Sequence, residues 1–257
     1  MLRILLLALT LAAAPTILAE VPVNGRAQYM RFSRAQMQMV AAEAYNQKLA
    51  RLSARGALDT DPGTVRRMRN LFNRLVDRAV RLKPSAAAWP WEIHVTTDPG
   101  VTANSMAGGK LLIGQRLIDD YRLGDNELAV ALAHEVAHVI AEHVREQVSL
   151  AASFEKPVPG RPLRITDVVE AMNSDIRIYL GLQPLSQLQE LEADDIGIEL
   201  AARAGIPPAA IRRFYRKIAK DTPTQSLFDT HGSSNQRQAF VESMANYAEA
   251  EYEARHR

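Results

Sequence analysis

The sequence predicts an α+β fold that is predominantly helical, with one small mixed sheet placed before a central helix. Three observations predict it. Apolar residues recur at helical spacing over most of the chain. A single short stretch, Trp91-Glu92-Ile93-His94-Val95, alternates apolar and polar residues as a half-buried strand does. Pro- and Gly-containing breaks separate the segments, and no internal repeat or low-complexity tract interrupts them.

The elements follow in order. Met1-Leu2-Arg3 is followed by an apolar run from Ile4 to Ala14, and Ile17-Leu18-Ala19 ends on a small residue. This is the layout of a secretory signal segment, expected over 1–19 with cleavage after Ala19. The run is shorter than the ~20 residues a membrane span needs. Residues 20–257 then read as a single domain. Helices are expected over Ala27–Arg55 and Thr64–Leu82, with Asp61-Pro62-Gly63 as a turn and Lys83-Pro84 as a stop. Strands are expected at Trp91–Val95, Val101–Ala107 and Lys110–Ile113. His94 lies on the polar face of the first strand and reads as structural. One helix is expected from the cap Asp125 through Gln147. A breaker-rich loop over 153–163 precedes a helix from Thr166 to Leu180 that Gly181 would end. Pro184 would start another, running to Ala204, then Pro208–Lys220, a loop over 222–234 and a charged terminal helix.

Composition narrows the function. The 257 residues are 47% hydrophobic, enough for a sizeable core. With 31 basic and 29 acidic residues the net charge is +2, which gives no footprint for nucleic acid. The stretch Arg66-Arg67-Met68-Arg69 reads as the solvated face of a helix. The absence of cysteine excludes disulfides, thiolate metal sites and a lipid anchor on cysteine, and for an exported chain it points to a bacterial periplasm.

The chemistry concentrates in His134-Glu135-Val136-Ala137-His138. Histidines four apart on a helix differ by only about 40° around its axis, so both imidazoles face one side. Imidazole nitrogen suits zinc, and a catalytic zinc takes three protein ligands and keeps one position open. Glu135 is placed to take a proton from water at such a metal. His143 follows nine residues after His134, about 180° around a continuous helix, and so reads as an ordinary histidine near the helix end. The better third ligand is Glu190, in Glu190-Leu191-Glu192-Ala193-Asp194, completing a set of two histidines and one glutamate. Asp194 shares its helical face and can accept a hydrogen bond from the outer nitrogen of His134. Glu192 and Asp195 lie on other faces, where solvated or structural roles are expected.

These stretches carry a resemblance. Leu128 to His138 and the distant Glu190-x-x-Ala193-Asp194-x-x-Gly197 resemble the HtpX, CAAX-prenyl-endopeptidase and BepA group, metallopeptidase family forty-eight. Upstream, Asn104-Ser105-Met106-Ala107-Gly108-Gly109 is similar to the stretch that in this family forms the edge strand holding the peptide, with Ser105 and Met106 departing from the usual Ala and Phe. Asn104, Ala107, Gly108 and Gly109 are therefore the implied substrate-binding residues. Downstream, Thr230-His231 and Arg237 resemble a segment placed near the metal, with Gly232 in place of a proline; there a donor would stabilise the tetrahedral oxyanion. The resemblance spans roughly residues 90 to 245. It implies a zincin-type minimal fold whose edge strand flanks the active-site helix, one zinc per chain, and hydrolysis with Glu135 as general base.

The expected protein is thus an exported zinc endopeptidase acting on peptide or unfolded protein in the envelope, in quality control. A chaperone or outer-membrane assembly factor with an autoinhibited or rarely used site is the alternative, with envelope assembly machinery as partner. In that case the 152–183 region covers the cleft and His231 takes the open position.

Overall fold

A computed structural model describes residues 17–22, 24–156, 160–218, 237, 240–244, 246 and 249. Residues 1–16 of the expected signal segment, the 222–234 loop with His231, and most of the terminal helix lie outside them.

The chain opens with a hairpin. Strand β1 (Ile17–Glu20) pairs antiparallel with β2 (Ala27–Met30), Ile17 opposite Met30. β1 thus straddles the expected cleavage point after Ala19. β2 also corrects the expected helix from Ala27: Gln28 and Met30 are buried while their neighbours are exposed. Over four residues that alternation is hard to tell from one helical turn. Helix α1 (Arg34–Ala54) starts at a capping box in which Ser33 and Gln36 satisfy each other's backbone N–H groups. Helix α2 (Pro62–Leu82) begins in the expected turn, with Asp61 accepting from Gly63 and Thr64 and Pro62 in the first turn.

The sheet has strands β3 (Glu92–Thr96), β4 (Ala103–Met106) and β5 (Lys110–Gly114) in the order β3-β5-β4. β5 is central, parallel to β3 and antiparallel to β4, which pairs Ala103 with Ile113 and Met106 with Lys110. β4 is therefore an edge. Ile93 and Val95 turn inward as the alternation predicts, and His94 is tied to Asp59 at 2.6 Å and to Glu92 at 3.0 Å.

After the short helix α3 (Gln115–Tyr121), α4 (Asp125–Ile140) runs through the middle of the molecule. Its cap is Gly124 and not Asp125, and Glu127 reaches back to the Gly124 N–H. Every residue from Glu127 to Ile140 is buried. α2, the sheet, α4, the later part of α7 and α8 share one core. Each fully buried leucine or isoleucine there contributes about 2 kcal/mol.

The expected continuous helix to Gln147 is broken. α4 ends at Ile140, and α5 (His143–Ala151) starts after Glu142, whose φ of 56° is left-handed. A non-glycine residue there costs roughly 1–2 kcal/mol. Glu142 is 7% exposed and its carboxylate is met at 2.7 Å by Arg34, Lys83 and Arg145, and these contacts hold the turn.

α6 (Ile165–Ser174) and α7 (Ile176–Arg203) replace the expected division at Gly181. The helix passes straight through Gly181 and Pro184. Gly181 packs against Phe154: a Cβ there would sit 2.4 Å from Phe154 Cζ, the tip of an exposed side chain. Pro184 leaves the carbonyl of Leu180 without its helical donor. Leu180 is 60% exposed, so water can take that role. α8 (Pro208–Ile218) closes the described part of the core.

Candidate metal centre

Helix periodicity brings His134 and His138 together with ring centroids 4.7 Å apart and their Nε2 atoms 3.1 Å apart. α7 crosses behind α4 at Gly197, where a Cβ would lie 3.1 Å from the His134 backbone. This close approach sets Glu190 and Asp194, seven and three residues earlier, against the histidines. Glu190 Oε2 is 3.4 Å from His134 Nε2, and Oε1 is 3.4 Å from His138 Nε2. Tetrahedral zinc with bonds of about 2.0–2.1 Å places its ligand atoms ~3.3–3.4 Å apart. One ligand atom from each of the three residues lies within 4.8 Å of the others, and the donor set of two imidazoles and a carboxylate is one zinc accepts. Among the described residues this trio is the one cluster of three or more His, Asp or Glu able to hold a metal.

The site is buried: His134 is 2% exposed, Glu135 1%, His138 7% and Glu190 5%. Asp194, with no exposure, lies 3.0 Å from His134 Nδ1. It also accepts from Tyr215 at 2.7 Å and from Arg237 Nε and Nη2, each at 2.7 Å. Burial alone would raise the Asp194 pKa, but Arg237 and His134 outweigh it and keep the carboxyl ionised. Arg237 Nη1 reaches Glu190 Oε2 at 3.1 Å. Where the resemblance suggests an oxyanion donor, these bonds assign Arg237 to the two carboxylates.

The two histidines differ electrostatically. Burial works against charge on both. At His134 the carboxylates of Asp194 and Glu190 prevail and raise the pKa to about 9; at His138 burial prevails and lowers it to about 4. A proton and a metal therefore compete at His134.

Sequence reasoning missed a second layer. The break at Glu142 turns His143 back onto the site, with its Nδ1 2.8 Å from His138 Nδ1 and its Nε2 3.3 Å from Glu192 Oε2. Glu192 is buried, bonded to Arg26 and Asn24 of the hairpin segment, and has its pKa held down to about 2 against the effect of burial by His143, Arg26 and Asn24. Tyr215 was also missed. Nothing in its helical pattern marks it, since a buried tyrosine on α8 reads as core.

The edge strand flanks a small cleft between α1, β4 and the α4–α5 turn, reaching His138. Of the implied substrate residues, Ala107 and Gly108 line it, joined by Ser105, Met106 and Gln38. Asn104 in β4 pairs with Leu112 of β5, and Gly109 packs against Trp91; neither lines the cleft. No helix among the described residues is long and apolar enough to cross a membrane.

Comparison with known proteins places the chain among named families. The profile described as Peptidase family M48 matches residues 72–245. Mitochondrial metalloendopeptidase OMA1 of Arabidopsis thaliana is 31% identical over 150 residues, covering 57% of this chain and 30% of its own length. Metalloprotease LoiP of Escherichia coli is 29% identical over 152 residues, 57% of this chain and 59% of its own. The beta-barrel assembly-enhancing protease of Yersinia pestis is 28% identical over 209 residues, 76% of this chain and 42% of its own. The chain thus spans less than two thirds of each of these three relatives.

Proposed function

This chain belongs to peptidase family M48 and carries its metalloendopeptidase domain, and on that premise we propose that it is a zinc-dependent endopeptidase of extended or unfolded polypeptide in a bacterial envelope. The observation that carries the reading is the convergence of His134, His138 and Glu190 within reach of one metal ion beside a cleft bordered by an edge strand.

When bound, zinc supplies a Lewis acid that polarises the scissile carbonyl and makes water more acidic. The chain's own residues do the rest. Glu135 takes the proton of the attacking water and returns it to the leaving amine. Asp194 holds the His134 Nδ1–H, which turns Nε2 toward the metal position. Arg237 neutralises Asp194 and Glu190 and so keeps them in place. β4 offers backbone groups to a peptide laid along it, with Ala107 and Gly108 at the cleft wall. His231 retains the oxyanion-donor role on the resemblance alone.

The exported location, periplasmic in a Gram-negative bacterium, rests on the signal-like N-terminus. A role in envelope quality control is supported by the relative named for β-barrel assembly. The burial of Glu135, at 1% exposure, favours a second reading: an assembly factor whose site is rarely open. Metal content by mass spectrometry and hydrolysis of an unfolded substrate, in wild type and Glu135→Gln, test both. The peptidase reading expects about one zinc in each protein and at least ~100-fold slower hydrolysis by the variant. Zinc-loaded wild type that leaves substrate uncut but suppresses its aggregation would favour the second reading. A fully active Glu135→Gln, or wild type without metal, would overturn the first.

A further inference from the structure

We propose that His143 is a positioning residue for the metal site: it accepts the His138 Nδ1–H at its own Nδ1 and sets its Nε2–H against the Glu192 carboxylate. The proposal rests on the zinc reading above. The direction of these bonds follows from proton counting. His138 presents Nε2 to His134 and Glu190, so to ligate there it must carry its proton on Nδ1. The Nδ1 atoms of His138 and His143 are 2.8 Å apart, so one donates and the other accepts. His138 is the donor, and His143 is then protonated on Nε2, which lies 3.3 Å from Glu192 Oε2. Were His143 the donor instead, the His138 proton would sit on Nε2 and point at Glu190.

The far end of this chain is held firmly. Arg26 Nε meets Glu192 Oε1 at 2.5 Å and Nη2 meets Oε2 at 2.9 Å, while Asn24 Nδ2 bonds Oε1 at 3.0 Å. His143 is 1% exposed, so water does not compete for either nitrogen. The two metal-facing histidines thus end on carboxylates of the same helix, α7. His134 reaches Asp194 directly; His138 reaches Glu192 through an inserted imidazole. The left-handed turn at Glu142 makes this possible, because on a continuous helix residue 143 would lie about 140° around from residue 138.

The test uses the full chain, stripped of metal and titrated with zinc against a chromophoric chelator, with the visible spectrum of the cobalt(II) form as a second readout. His143→Leu fills the space without hydrogen bonds and is expected to weaken zinc 10- to 100-fold, the usual effect of losing such a partner, and to shift the cobalt bands. In His143→Gln the amide oxygen can accept from His138 and the amide N–H can donate to Glu192, so affinity and spectrum should largely return. A purely packing role would leave His143→Gln as weak as His143→Leu. Unchanged affinity in His143→Leu, or a Gln variant that restores nothing, overturns the proposal. If His143→Leu fails to fold, Glu192→Gln takes its place: weaker zinc binding supports the chain of bonds, and wild-type binding overturns it. Wild type that binds neither metal overturns the zinc reading itself, and this proposal with it.

Discussion

Gly197→Ala sets two known effects against each other at the contact that builds the metal centre. The added Cβ would lie 3.1 Å from both the Cα and N of His134 and 3.3 Å from the carbonyl carbon of Ala133. These are backbone atoms of a buried helix, so α7 must withdraw by a few tenths of an ångström. Replacing glycine inside a helix gains about 1 kcal/mol in propensity. Overpacking a tight contact costs about 1–3 kcal/mol. The metal-free protein should therefore lose roughly 0–2 kcal/mol, read from its urea midpoint. The metal site should suffer more. Glu190 and Asp194 ride on the displaced helix, and a shift of a few tenths of an ångström takes up most of the ~0.5 Å within which a ligand set must be held. Zinc affinity, measured by chelator competition, should fall about tenfold. A variant stabilised by about 1 kcal/mol with wild-type zinc affinity would show that the two helices do not meet at this glycine, and the account of how the site is assembled would fail.

Three further substitutions probe other features. Glu142 has its pKa held down to about 2 from an ordinary 4.5: burial alone would raise it, but Arg34, Lys83 and Arg145 outweigh that effect. Its contribution is therefore full above pH 4.5 and lost as pH falls through 2. Wild type should exceed Glu142→Gln by about 3 kcal/mol at pH 6 and by only about 1–1.5 kcal/mol at pH 3; an equal gap at both pH values in urea titrations would refute this. Arg237→Leu removes the guanidinium that pairs with both buried carboxylates and leaves them to His134 alone among the described cations. It should cost the metal-free protein about 3 kcal/mol, with Arg237→Lys losing less because it keeps the charge but not the fork. Thermal melts that rank the two variants equally would refute the assignment. Gly181→Ala should be neutral or stabilising by up to ~1 kcal/mol, because the atom it meets is the tip of Phe154, a side chain 41% exposed and able to swing away. A loss of that size would mean that Phe154 cannot move aside.

What could be read from the sequence was whatever depends on near neighbours. The spacing of His134 and His138, and of Glu190 and Asp194, is a property of one helix each, so their shared faces were legible. The alternation around Ile93 likewise identified its strand. The errors came where distant partners override local signals. Gly181 and Pro184 look like punctuation, yet contact with Phe154 and exposure of Leu180 let α7 continue. No glycine or proline marks the break after Ile140; cations from three separate segments hold Glu142 in its left-handed turn. That unreadable turn hid the approach of His143 to His138. The link from Arg26 to Glu192 crosses 166 residues and leaves no local trace.

That long-range wiring also bears on the order of events in folding. The ligands sit on two helices 52 residues apart, the supporting arginines come from positions 26 and 237, and loop closure must precede every one of these contacts. No fragment that ends before α7 contains a complete ligand set, however well α4 has formed. A chain still emerging from the ribosome therefore has no third ligand until Glu190 has been made, and lacks the Arg237 clamp until later still. Assembly of the ligand set is thus tied to completion of the fold.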